Sequence, residues 1–349
     1  MTIAGAPMDD TLSLTISPYE RQNLVGHGEI ERQLCRQIIN GDMHHGWIFA
    51  GPRGVGKATL AARLARVLLS GAQPTDNANI NNGSLDVDPG TATFRQVASF
   101  GHPDLHIVQR AFDEKKSRFK ADISVDQIRG LTQFLTHTAS GTGARVAIVD
   151  AADEMNTNAA NALLKVLEEP PENTLLLLLA HAPGRLLATL RSRCRSLQLK
   201  PVDRDEISTF VQRESGCTLD EASQAAKAAR GAPGYALELV LGDGLGALED
   251  ARRFIELAKD GPDVGIISAR YGARVDENRW RIFCSTVLSN LAIRAKEYAL
   301  ADDRIAPLQY LAGWEQLSQL VRRGEALNLD RPAMIEAMGY DLSRALNSQ

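Results

Sequence analysis

The chain has 349 residues, 44% of them hydrophobic and 23% charged, with a formal net charge of −4. It reads as a soluble, globular chain long enough for two or three domains and a sizeable core. No basic excess points to independent nucleic-acid binding. The longest apolar run, "LLLLLA" at 175–180, is far too short to cross a bilayer. The four cysteines, Cys35, Cys194, Cys217 and Cys284, form no C-x-x-C pair. That argues against a disulfide framework or a zinc cluster and for a reducing, cytoplasmic compartment. The N-terminal "MTIAGAPMDDTLSLTIS" lacks the basic-then-apolar layout of a secretion signal.

In chain order, "WIFA" (47–50) is a first strand that runs into the glycine-rich "GPRGVGKAT" (51–59). Leu60, Leu64 and Leu68 recur every four residues, so a helix follows the loop. Residues 71–100 are rich in Gly, Asn, Asp and Pro and read as an irregular insertion. "LHIVQR" (105–110) is a second strand, and "DEKKSR" (113–118) a solvated loop. Ser124 and Gln127 stand at capping-box spacing and open a helix to about residue 138. "ARVAIVD" (144–150) is a third strand. Ala160, Leu163, Leu164 and Leu167 share a helical face that Pro170 and Pro171 terminate. "TLLLLLA" (174–180) is a fourth strand, 183–190 a helix, and "SLQLK" (196–200) a fifth strand. Strands alternating with helices predict a parallel α/β sheet. After Pro201 the pattern turns Ala-rich and helical, broken by "GAPG" (231–234) and by "GDGLG" (242–246), which reads as a hinge. Trp280, Phe283, Val287 and Leu291 form an apolar helical stripe that reads as packing.

Two features carry chemistry. In "GPRGVGKAT", Gly51, Gly56 and Lys57 match the phosphate-loop spacing of Gly, four residues, Gly, Lys. A strand feeding such a loop into a helix aims backbone N–H groups at phosphate oxygens, and Lys57 adds a point charge. The hydroxyl that would hold magnesium is absent: Ala58 stands there, and Thr59 comes one place late. The second feature is Asp150, at the tip of an apolar strand, where a carboxylate can hold magnesium directly or through water. Taken alone, Asp150 reads better as a helix N-cap or loop residue; the alternative for the loop is a glycine-rich turn with no ligand. His44–His45 has no partner at metal spacing.

"NALLKVLEEPP" (161–171), followed by "SRC" (192–194), resembles the bacterial clamp-loader subunits of the AAA+ superfamily. "HHGWIFAGPRGVGKATLA" (44–61), "HPDL" (102–105) and "ISVDQIR" (123–129) carry the same likeness, which runs over about residues 20–240. The resemblance implies a P-loop AAA+ domain with a five-stranded parallel sheet (21–202) behind an N-terminal tail (1–20). A small helical lid (203–245) and an all-α collar for oligomerisation (246–349) would follow. It implies a hetero-oligomeric ring with delta and gamma/tau subunits, acting on a sliding clamp and primer-template DNA as part of a DNA polymerase III holoenzyme. No membrane is involved. Gly51, Gly54, Gly56, Lys57, Thr59 and Asp150 would form the ATP/Mg²⁺ site, and Arg193 of "SRC" would act in trans on a neighbour's ATP.

Motor subunits of that family need a hydroxyl after the loop Lys, a Glu after the strand Asp, a polar residue ending the fourth strand, and a lid Arg. This chain has Ala58, Ala151, "AHA" with His181, and Gly234. The resemblance therefore implies a stator-like ring member, with nucleotide binding weak or absent and little ATPase activity of its own. Residues 71–100 contain no cysteine, so the zinc module of some relatives is not expected. Cys194 reads as a buried filler. The alternatives are an ATP-hydrolysing motor of the same family and an unrelated P-loop enzyme.

Overall fold

A computed structural model of the chain describes residues 17–71, 82–113, 118–120, 122–136, 144–272, 277–301, 305–327 and 329–347. The chain divides into two compact units, Met1–Leu237 and Glu238–Gln349.

The first unit opens with α1 (Gly28–Asn40), β1 (Gly46–Ala50), α2 (Lys57–Leu69) and α3 (Ala92–Ala98). It continues with β2 (Leu105–Val108), the short strands β3 (Phe112–Asp113) and β4 (Arg118–Phe119), α4 (Val125–Thr136), β5 (Arg145–Val149) and α5 (Thr157–Glu168). Next come β6 (Thr174–Ala180), α6 (Ala188–Arg191), β7 (Arg195–Gln198), α7 (Arg204–Ser215), α8 (Leu219–Ala229) and α9 (Pro233–Leu241).

The main sheet has five strands in the order β2-β5-β6-β1-β7. Every pairing in it is parallel. The sheet is covered on both faces, so its central strands read as unbroken apolar runs. Alternation along β1 sends Trp47 and Phe49 into the core that holds Leu60 and Leu64 of α2. It sends Ile48 and Ala50 into the opposite core, with Leu163 and Leu167 of α5. β6 lies between β1 and β5, so one strand separates the glycine loop from Asp150.

The five-stranded parallel sheet agrees with the sequence expectation, and some local readings are corrected. Residues 71–100 are not irregular throughout: α3 forms because the Thr91 hydroxyl accepts from the Phe94 N–H (3.2 Å) and caps it. Residues 72–81 of that segment, residues 114–117 and the expected end of α4 near 138 lie outside the described residues. The two ends of "DEKKSR", Asp113 and Arg118, belong to a short antiparallel pair in which Phe112 lies opposite Phe119. The expected helix over 183–190 is a single turn at Pro183–Arg185 and then α6, because Leu186 and Leu187 take extended ψ angles of 143° and 138°.

The second unit is helical: α10 (Gly244–Asp260), α11 (Gly265–Ser268), α12 (Glu277–Leu300), α13 (Ala306–Leu327) and α14 (Arg331–Asn347). "GDGLG" is a short break, with Asp243 at φ 51° and α10 starting at the next residue. Trp280, Phe283, Val287 and Leu291 are all buried, and Phe283 meets Phe254 edge-on at 5.5 Å. Inside this core Asp250 is 1% exposed. It accepts from Arg270 at 2.6 Å and from Arg279 at 2.8 Å. Removing one partner of a buried ion pair is strongly destabilising. We expect Asp250→Ala to lower the stability of this unit by about 3 kcal/mol, read as a shift in its denaturant midpoint. That is the low end for such a loss, because both arginines reach solvent.

Candidate functional site

The register of the sheet brings the loop and the carboxylate to one rim. Ala50 pairs with Ala180 and Val149 with Leu178, so β1, β5 and β6 end close together. Residues 51–56 leave β1 and turn directly into α2, which starts at Lys57. Gly54 and Gly56 hold φ at 77° and 114°, values that favour glycine. This is the strand-to-helix turn that the spacing predicts.

Lys57 is 4% exposed. Its Nζ donates to the carbonyls of Gly51 (2.8 Å) and Pro52 (2.9 Å), fastening the loop to its own helix. Ala58 packs partly buried against the core. Thr59, the third residue of α2, is 6% exposed. Successive helical residues project about 100° apart, so its hydroxyl does not replace one at position 58. Leu24 and His27 cover the loop on one side. The His27 Nε2–H donates to the Val55 carbonyl (2.9 Å). On another side Gly234 N–H donates to the Gly54 carbonyl (2.8 Å), so the start of α9 rests on the loop backbone. A Cβ on Gly234 would lie 3.1 Å from Gly54 Cα, and a Cβ on Gly54 only 2.8 Å from the Tyr235 nitrogen.

Asp150 is 6% exposed. Its Oδ2 accepts from the Tyr19 hydroxyl and from Gln109 Nε2, both at 3.2 Å. Ala151 follows at φ 63°, a left-handed conformation that costs an L-residue about 1–2 kcal/mol. Arg53, Asp150, Ala151 and His181 line one small polar cavity. Neither nearby acid is idle. Asp153 accepts from the N–H groups of His181 and Ala182, each at 2.9 Å, and holds the turn after β6. Glu154 pairs with Arg110 at 2.8 Å.

Sequence reading missed the strap over α2. Arg66 donates to the carbonyls of Tyr19 and Arg21, the latter at 2.8 Å, and stacks 3.7 Å over the Phe94 ring. Arg63 binds the Gln22 carbonyl, Glu31 (2.6 Å) and Asp86 (2.7 Å). Burial, with Arg63 close by, pushes the Arg66 pKa down to about 10. The available signal was two arginines three apart in the apolar stretch of α2 that follows Thr59.

Arg193 sits far from this constellation in sequence, in the turn between α6 and the edge strand β7. Its side chain is 35% exposed, and Nη2 pairs with Glu168 at 2.6 Å. Beneath it Cys194 packs into the core that holds Leu167. Burial pushes the Cys194 thiol up to about 11, which makes it inert filler.

A glycine loop between a central parallel strand and a helix, one strand away from an Asp-tipped neighbour, defines the P-loop class of folds. The family described as "DNA polymerase III, delta subunit" matches residues 26–203, and the chain belongs to it. It is 39% identical over 166 residues to "DNA polymerase III subunit delta'" of Pseudomonas aeruginosa, covering 47% of this chain and 46% of that one. To the Escherichia coli protein of the same name it is 35% identical over 219 residues, 62% of this chain and 60% of that one. To the Bacillus subtilis protein it is 32% identical over 176 residues, 50% and 47% respectively. The chain thus spans about half to three fifths of the length of these relatives. Among the described residues no group of three or more His, Cys, Asp or Glu is placed to hold a metal, and no helix is long and apolar enough to cross a membrane.

Two outcomes follow from the loop's surroundings. Gly54→Ala combines a left-handed φ with a backbone clash, and we expect it to lower stability by about 2 kcal/mol or more in chemical denaturation. Burial lowers the His27 pKa below its ordinary 6.5, so the fold favours neutral imidazole. The unfolded chain takes up a proton below that value and the folded chain lags, so stability is full above it and falls on acidification. His27→Gln should therefore lose less stability than the parent between pH 7.5 and 5.5, measured as the change in denaturant midpoint.

Proposed function

We propose that the chain is a delta-prime-type clamp-loader subunit, a stator in a cytoplasmic hetero-oligomeric ring with delta and gamma/tau subunits. The ring opens a sliding clamp and places it on primed DNA. In this reading residues 21–202 are the AAA+ domain, 203–245 the lid and 246–349 the collar that holds the ring. The names of the relatives support the assignment.

The observation that carries the reading is a division between two places. The loop keeps its phosphate cradle in Gly51, Gly54, Gly56 and Lys57 but has Ala58 at the metal-ligand position and Ala151 beside Asp150. Asp150 is the acid at the strand tip beside the loop, and its Oδ2 already accepts two hydrogen bonds. The donor set suits phosphate better than a hydrated metal ion, which needs several oxygen ligands in octahedral geometry. Gly234, seated on Gly54, leaves no room for a lid arginine without a shift of backbone. ATP therefore binds here weakly or not at all, and turnover by this chain is negligible. A water-positioning group alone is worth about 10²–10⁴ in rate.

Arg193 is the residue that acts on hydrolysis, at a neighbour's ATP. Its planar, permanently charged fork suits phosphate oxygens, and a finger supplied in trans is worth about 10³–10⁵. In the reconstituted complex, Arg193→Ala should leave assembly intact and cut clamp-stimulated ATPase activity at least tenfold. Unchanged activity would remove the finger from this account. ATP turnover by the isolated chain at the level of a motor subunit would overturn the stator assignment.

A further inference from the structure

The Arg193 guanidinium is already occupied in this chain. Nη2 donates to Glu168 Oε1 at 2.6 Å. Nη1 donates to the Thr189 carbonyl at 3.1 Å and reaches Ser192 Oγ at 3.5 Å. The pair bridges two segments distant in sequence, the end of α5 and the turn before β7, and both are firmly placed. Leu167, next to Glu168, is buried, and its carbonyl accepts from His45 Nε2 (3.1 Å). Cys194, next to Arg193, packs in the same core as Leu167. The backbone at both ends is set by buried neighbours, so the meeting of the two side chains is a property of the fold.

We propose that Glu168 is a counter-ion latch, which competes with phosphate oxygens for Arg193. The inference rests on the reading that Arg193 reaches a neighbour's nucleotide. Carboxylate and phosphate use the same guanidinium donors, so one excludes the other from those N–H groups. While the latch is closed Glu168 offsets the charge of Arg193, which then exerts less pull on passing anions. A triphosphate brought up by a neighbour meets the Glu168 carboxylate as a like charge and takes its place. The side chains are 35% and 50% exposed, and ion pairs this open to water are weak, so the exchange is easy. The Thr189 carbonyl keeps hold of Nη1 throughout, and the guanidinium swings about one fixed point.

The test is ATP hydrolysis by the full reconstituted complex carrying single and double variants. Glu168→Gln removes the competing charge and keeps the shape. It should lower the half-saturating ATP concentration about two- to fivefold, with kcat within twofold of the parent. Glu168→Asp, which retains the charge, should stay closer to the parent. In an Arg193→Ala background Glu168→Gln should have no further effect, since the competition has no object there. A fall in kcat for Glu168→Gln, parallel to that of Arg193→Ala, would overturn the latch and make Glu168 a support for the finger. No change for Glu168→Gln beside a strong loss for Arg193→Ala would also overturn it and leave the finger standing. No loss for Arg193→Ala would fell the finger itself.

Discussion

The pairing of β1 with β6 is the constraint from which the rest of the first unit follows. It runs in register from Gly46 opposite Leu176 to Ala50 opposite Ala180. Because β5 pairs on the far side of β6, the loop after β1 and the acid after β5 emerge at one rim with a strand between them. On its other side β1 pairs with the edge strand β7, which follows the turn that carries Arg193. β6, seven residues of which all but the first are buried, thus aligns the glycine loop with the carboxylate.

The loop is built for firmness. Lys57 binds loop carbonyls, His27 binds Val55, and Gly234 binds Gly54. Each bond is made to backbone, so each constrains the path of the chain directly. A site of this kind holds its form from internal contacts and does not call on a ligand to order it, which suits the stator role proposed here.

The strands were legible because a sheet buried on both faces forces continuous apolar sequence. The glycine loop was legible because few residues tolerate its dihedral angles. α3 was hidden inside a Gly- and Asp-rich stretch, where a single threonine cap outweighs poor surroundings. The hold of Tyr19 on Asp150 and the grip of Arg63 and Arg66 were invisible for another reason. They join residues far apart in the chain, and no local period records such a contact. The hold of Asp153 on the N–H groups that follow β6 is another contact between separated segments. The pairing of Arg193 with Glu168 was likewise out of reach, although both residues lie in the stretches that carried the family resemblance.

Arg63 and Arg66 grip residues 19–22 through the carbonyls of Tyr19, Arg21 and Gln22. Every amino acid offers the same carbonyl. The course of this strap across α2 is therefore written in the helix and not in the strap. Exposed Gln22 can drift between related chains without moving the segment. Tyr19 and Arg21 are the exceptions, because their side chains are held too, Tyr19 by Asp150 and Arg21 by Glu214 at 3.0 Å. A strap of variable spelling with two fixed letters, one aromatic and one cationic, is the pattern this geometry would leave in a family of sequences.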